Sequence, residues 1–114
     1  MNFNLSEEQE LMRETFARFL TEQSSMLRVR AALPSGFDAA LWSGLAELGA
    51  FSIRVPEEAG GLGLGLLDAV LLMEEAGRTL ASGPVAETLV AARLLGTLGG
   101  QGELLERVLS GSAV

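Results

Sequence analysis

Apolar and polar positions along the chain fall into stretches of helical period separated by one glycine-rich interruption. Leu11, Met12, Thr15, Phe16, Phe19 and Leu20 recur at i, i+1, i+4, i+5, i+8 and i+9, which makes one helical face. Arg13, Glu14, Arg18 and Glu22 lie largely opposite, with Glu14 and Arg18 spaced as an i,i+4 ion pair. Ser6 and Gln9 have the spacing of a capping box, and Glu7, Glu8 and Glu10 place acids in the first turn, where the helix dipole favours them. Ser24-Ser25 weakens this helix. Met26–Leu33 continues it or forms a short second piece, and Leu33-Pro34-Ser35-Gly36 ends it.

Asp38 is placed to cap the next helix, with Phe37 and Trp42 at the positions of a hydrophobic staple. Leu41, Trp42, Leu45 and Leu48 form its expected buried stripe, and Gly49 stands where a C′ glycine closes a helix. Trp42 reads as a core anchor. Phe51 to Pro56 alternates and is rich in β-branched residues, so an extended segment is expected there, and Pro56 itself disfavours helix at Val55. The stretch Gly49 to Gly65 carries five glycines in 17 residues, a density that points to positive φ or to close backbone contact. Pro56, Gly60, Gly61 and Gly63 are the residues expected to shape this loop.

The helix expected over Leu66–Leu80 is apolar on most of its circumference, which implies burial on more than one side and a central place in the fold. Glu74 and Glu75 interrupt it. A buried carboxylate needs a partner; Arg78, four residues after Glu74, supplies one within the helix, and Arg54 or Arg93 are candidates from outside. Ser82-Gly83-Pro84 opens the next helix, with Val85, Leu89, Val90, Ala92, Leu94 and Leu95 as its apolar face. A last helix spans about Gln101–Leu109 and buries Leu104, Leu105, Val108 and Leu109. No convincing strand pair and no internal repeat is present. The expected fold is all-α, five or six helices in a bundle-like domain, with the glycine-rich loop leading into the central helix.

Composition narrows the chemistry. The 114 residues suit one domain, and a chain of this size buries roughly 65% of its unfolded surface. There is no cysteine and no histidine, which removes disulfides, Cys/His zinc sites and imidazole triads. Net charge is −7 and every cation is arginine, so a nucleic-acid partner is not expected. Uncharged runs reach only nine residues, far below the 20 or so of a membrane span, and acids stand where a signal peptide would be basic. A cytoplasmic protein is expected. Gly61-x-Gly63-x-Gly65 lacks the third glycine spacing of a dinucleotide fingerprint, and a Walker loop needs a lysine. The pairs Glu57-Glu58 and Glu74-Glu75 diverge as sequence neighbours, so neither forms an acid–base dyad. No catalytic residue and no metal ligand can be assigned.

Leu48-Gly49-Ala50, Val55-Pro56-Glu57-Glu58-Ala59-Gly60-Gly61-Leu62-Gly63-Leu64, Asp68 and Glu74-Glu75-Ala76-Gly77 closely resemble the N-terminal helical domain of acyl-CoA dehydrogenases. Phe3, Leu5, Ser6-Glu7-Glu8-Gln9 at the start, and Leu95-Gly96-Thr97, Leu104-Leu105 and Leu109-Ser110-Gly111 near the end, extend the resemblance over nearly the whole chain, read as one domain over residues 1–114. The Pro-Glu-Glu-x-Gly-Gly-x-Gly run is its specific part. The resemblance implies a three-domain enzyme of which this is the first domain, with a middle β-domain and a C-terminal helical domain outside it. It implies FAD held between the later domains and a neighbouring subunit, so no cofactor-binding residue is expected here. A glutamate, usually in the C-terminal domain, takes the α-proton of an acyl-CoA, and hydride passes from the β-carbon to the flavin. The N-terminal domain walls one side of the acyl pocket and contributes to packing in a homo- or hetero-oligomer. That wall maps to about Gly83–Leu89, with Pro84, Val85, Thr88 and Leu89 as candidate acyl-facing residues.

Gly77-Arg78-Thr79-Leu80-Ala81-Ser82-Gly83-Pro84 is similar to a bacterial subgroup that includes two-chain dehydrogenases of steroid side-chain CoA esters, in which one subunit type can lack the base and the flavin contacts. A non-catalytic subunit or a helical interaction module is therefore an alternative. Acyl-CoA oxidases and some flavin monooxygenases share the domain and form another.

Overall fold

A computed structural model describes residues 4–114; Phe3, part of the resemblance above, lies outside the described residues. These residues form six α-helices: α1 (Glu7–Gln23), α2 (Met26–Ala32), α3 (Ala39–Glu47), α4 (Leu66–Arg78), α5 (Val85–Leu98) and α6 (Gly102–Leu109), with short 3-10 turns at Ala50–Ser52 and Glu57–Ala59. No strand occurs among the described residues.

The local signals act where the sequence places them. Ser6 Oγ accepts from the Gln9 amide at 3.1 Å and Gln9 Oε1 accepts from the Ser6 amide at 3.0 Å, closing the capping box of α1. Ser24 caps the end of α1 and Ser25 starts α2, its hydroxyl accepting from the Arg28 amide. Asp38 accepts from the Leu41 amide at 3.1 Å, and the Phe37 and Trp42 rings meet at 5.6 Å. Burial alone would raise the Asp38 carboxyl; the Leu41 amide and the Arg28 guanidinium outweigh it and hold the group below the usual carboxylate range. Leu48 departs from the expected stripe and is 40% exposed, because α3 stops at Glu47 and the chain turns through Gly49 in the left-handed region, at φ 81°.

Of the stretch expected to be extended, Phe51 to Pro56, only Pro56 has extended dihedrals, at φ -56° and ψ 146°. The rest runs through the 3-10 turn at Ala50–Ser52 and Ile53 in the right-handed helical region. The following loop returns on it, with the Leu62, Gly63 and Leu64 amides donating to the carbonyls of Ser52, Val55 and Ile53 at 2.9, 2.9 and 2.8 Å. Those carbonyls find their partners within the loop, which removes the need for a strand neighbour. Phe51, Ile53 and Val55 are buried, so the apolar residues the alternation picked out do face the core. Gly60 has φ 92°. Gly61 has an ordinary φ, but its Cα lies so close to Val55 that an added Cβ would overlap the Val55 carbonyl.

Helix α4 is central, packed against α1 on one side and α5 on the other. It runs parallel to α1 and is tied to it at both ends. Gln9 Nε2 donates to Asp68 Oδ1 at 3.3 Å near the start, and Ser24 Oγ donates to the Thr79 carbonyl at 2.9 Å near the finish. Ala69, Leu72 and Ala76 join Phe16, Leu20, Trp42, Phe51, Val85 and Leu89 in the main core. Val55, Ala92, Leu105 and Val108 form a second cluster under α5 and α6. The Cα trace measures 39 × 39 × 18 Å, a slab about two helix layers deep. A helix in such a slab keeps one face outward. Leu66, Leu67 and Val70 are accordingly exposed, against the expectation that an all-round apolar helix is covered all round.

The acids of α4 also pair differently. Glu74 is exposed, whereas Glu75 is buried and accepts from Arg78 Nε at 2.7 Å. Arg78 Nη2 donates in turn to Thr21 Oγ1 on α1 at 3.0 Å. The ion pair is thus i,i+3 rather than i,i+4, because the Glu75 side of the helix is the one turned to α1. Neither Arg54 nor Arg93 is its partner. Likewise Arg13 pairs with Glu10 at 2.7 Å, and no Glu14–Arg18 pair forms among the described residues.

Helix α4 ends in a Schellman arrangement, with the Ala81 amide on the Ala76 carbonyl and the Leu80 amide on the Gly77 carbonyl. Leu80 takes the left-handed position usually given to glycine, at φ 54°, and its side chain is exposed. Two outcomes are expected in urea unfolding. Gly61→Val loses about 2 kcal/mol or more, because the Val55 backbone cannot give way. Leu80→Gly gains about 0.5–1 kcal/mol by relieving the left-handed strain.

Candidate functional site: an apolar groove between two helices

The outward stripes of α4 and α5 face one another across a groove of about 500 Å³. Helix α4 contributes Leu66, Ala69, Val70 and Met73, at i, i+3, i+4 and i+7. Helix α5 contributes Ala86, Leu89, Val90, Arg93, Leu94 and Thr97 at the same kind of spacing, and Arg54 comes from the segment before the loop. Leu66, Val90 and Leu94 are 66%, 69% and 56% exposed, while Leu89 forms part of the buried floor. A groove of this size with an aliphatic lining and few polar groups has the character of a small-molecule site.

The four candidate acyl-facing residues do not share one surface. Leu89 lines the α4–α5 groove. Val85 is buried in the main core. Pro84, placed just before the first residue of α5, and the buried Thr88 line a smaller cleft of about 160 Å³ with Glu87, Ala91, Val108, Ala113 and Val114. Successive residues of a helix point about 100° apart, so a contiguous segment serves several faces. The α4 side of the groove was not among the candidates. Its signal was present in the apolar residues at 66, 67 and 70, which exceed what one buried stripe requires.

The polar groups of the groove are few. Arg54 Nη1 donates to the Leu64 carbonyl at 3.3 Å, and Thr97 Oγ1 donates to the Arg93 carbonyl at 2.8 Å. The lining has no carboxylate, and no group of acids among the described residues is arranged to hold a metal ion. The glycine loop does not fit a cofactor pyrophosphate. A phosphate cradle needs amides free to donate. Here the amides of Gly60, Gly61, Leu62, Gly63 and Leu64 donate to carbonyls of the same segment, and that of Gly65 to Asp68 Oδ2 at 3.0 Å. The loop is a structural clasp.

Residues 6–112 match the family model described as acyl-CoA dehydrogenase, N-terminal domain. This chain belongs to the acyl-CoA dehydrogenase family. It is 40% identical over 113 residues to acyl-CoA dehydrogenase IpdE2 of Mycolicibacterium smegmatis, covering 96% of this chain and 36% of that protein. It is 35% identical over 111 residues to benzylmalonyl-CoA dehydrogenase of Aromatoleum aromaticum, covering 95% and 29%. Among solved structures, a variant of the Tcur3481-Tcur3483 steroid ACAD superposes with a TM-score of 0.83 at 34% identity, over 93% of this chain and 30% of the other. The chain thus spans about a third of the length of each of these three proteins. None of its helices among the described residues is long and apolar enough to cross a membrane.

The groove is open surface while Leu72 is closed core, and the two respond differently to substitution. Leu94→Ser is expected to change stability by no more than about 0.5 kcal/mol. Leu72→Ala is expected to lose about 2–5 kcal/mol, read by thermal or urea unfolding.

Proposed function

We propose that this chain forms the N-terminal helical domain of an FAD-dependent acyl-CoA dehydrogenase that desaturates a CoA thioester between its α- and β-carbons. The α4–α5 groove is one wall of the acyl chamber. One observation carries the reading: in a member of this family, the exposed Leu66, Val70, Val90 and Leu94 stand on two facing helix stripes around one apolar groove. Exposed aliphatic surface of that extent has a cost in water and calls for a covering group.

The chain's own part is to bind and to exclude water. Leu89 at the floor and Leu66, Val70, Val90 and Leu94 along the sides offer methylene-sized contacts, each buried CH₂ being worth about 0.8 kcal/mol. Drying the reacting carbons strengthens the electrostatic interactions around them. The smaller cleft holding Pro84 and Thr88 is a second apolar face, fit for packing against the rest of the enzyme or another subunit of a homo- or hetero-oligomer. FAD is assigned to polypeptide other than the 49–65 loop, whose amides are already engaged. The absence of cysteine from the chain fits a cytoplasmic setting.

The test uses the protein encoded by the reading frame that contains this chain. It is expected to purify yellow, and under anaerobic conditions octanoyl-CoA or another acyl-CoA is expected to bleach its flavin absorbance. A colourless protein, or a flavin indifferent to every acyl-CoA tried, overturns the reading.

A further inference from the structure

We propose that the loop end of the α4–α5 groove recognises a carboxylate at the far end of the acyl group, so that the substrates are CoA thioesters of carboxylate-bearing acids. This rests on the reading of the groove as an acyl wall and adds the class of acyl group.

The groove is graded along its length. The short 79–84 connection makes α4 and α5 an antiparallel pair, so Met73 and Ala86 lie towards that connection and Leu66 lies beside the later turns of α5. At the loop end, Gly96 of α5 packs on the segment around Val55. A Cβ there would sit 3.0 Å from Val55 Cγ1 and 3.2 Å from Pro56 Cδ. Arg93, one turn earlier on α5, is therefore brought to the same end as Arg54, the residue preceding Val55. From Ala86 to Arg93 the helix advances about 10 Å, a run of apolar wall ending at two cations.

Both guanidinium groups lack a carboxylate. Arg54 gives one hydrogen bond, to the Leu64 carbonyl, and the Arg93 side chain makes no ion pair or hydrogen bond among the described residues. Among the described residues Arg13, Arg28 and Arg78 each hold an acid, whereas Arg18, Arg30, Arg54, Arg93 and Arg107 hold none; of these five, Arg54 and Arg93 line the groove. The groove lining contains no Asp or Glu to pair with either arginine. A guanidinium stays charged at any working pH, and its planar fork of donors matches a carboxylate with two parallel hydrogen bonds. Covering the apolar walls lowers the local dielectric and strengthens that pair. A methyl-terminated tail would put hydrocarbon against the two charges; a carboxylate-terminated tail satisfies them.

The test compares suberyl-CoA with octanoyl-CoA, two thioesters of equal chain length, in flavin reduction by the encoded protein. In Arg93→Leu, and separately in Arg54→Leu, the ratio of kcat/KM for suberyl-CoA to that for octanoyl-CoA is expected to fall about tenfold or more. Arg93→Lys is expected to recover part of it. Arg93 is exposed on its helix, and melting temperatures check that each variant folds. A ratio unmoved in both leucine variants overturns the inference. So does an equal loss with both thioesters, which would assign the arginines to the phosphates of CoA. Bleaching by octanoyl-CoA with an unmoved ratio leaves the proposed function standing and removes only this inference. No bleaching by any acyl-CoA removes both.

Discussion

Gly61 lies against the Val55 carbonyl, and much of the domain is positioned by that approach. It lets the loop fold back so that the amides of residues 62–64 reach the carbonyls of Ser52, Ile53 and Val55. Val55 is thereby fixed as a shared floor, buried beneath α5 where Gly96 comes close, and grouped with Ala92, Leu105 and Val108. On one side of this clasp Phe51 and Ile53 enter the main core; on the other the chain leaves through Gly65 into α4. A side chain at position 61 would push these elements apart, because a backbone carbonyl cannot rotate away as a flexible side chain can.

The shallow depth of the domain then settles the fate of the apolar surface. The inner stripe of α4 packs in one core with Phe16, Leu20 and Trp42, while its outer stripe has no layer of described residues above it. Helix α5 stands in the same position. Because the short connection makes them antiparallel neighbours, their outer stripes form one groove rather than two scattered patches. Exposed leucines scattered singly need no account, but a contiguous lining of this size does.

Charge follows the same division. Two of the three paired arginines fasten elements that lie apart: Arg28 grips Asp38 with two bonds of 3.1 and 2.9 Å, joining α2 to the cap of α3. Arg78 links Glu75 to Thr21, joining α4 to α1. Buried or half-buried pairs of this kind fix geometry as much as they add stability. Arg54 and Arg93 join nothing through a carboxylate and stand at the groove.

Features that depend on near neighbours can be read from the residues alone. Ser6 with Gln9, Asp38 with Leu41, the break at Ser24-Ser25 and the left-handed Gly49 and Gly60 are legible because each interaction closes within a few residues. The helical periods at Phe16, Trp42 and Leu72 marked the core for the same reason, and the Pro56–Gly63 run marked the family. Long-range packing sets which apolar residues stay outside, since Leu48, Leu66, Val90 and Leu94 have the same side chains as their buried neighbours and differ in what lies above them. It also decided that Phe51–Val55 coils rather than extends, because the partners for its carbonyls arrive from residues 62–64. The choice of Glu75 over Glu74 was set by Thr21, 57 residues before Arg78. The split of Pro84, Val85, Thr88 and Leu89 among three surroundings was set by α4, α6 and the core, none of which the spacing within α5 can report.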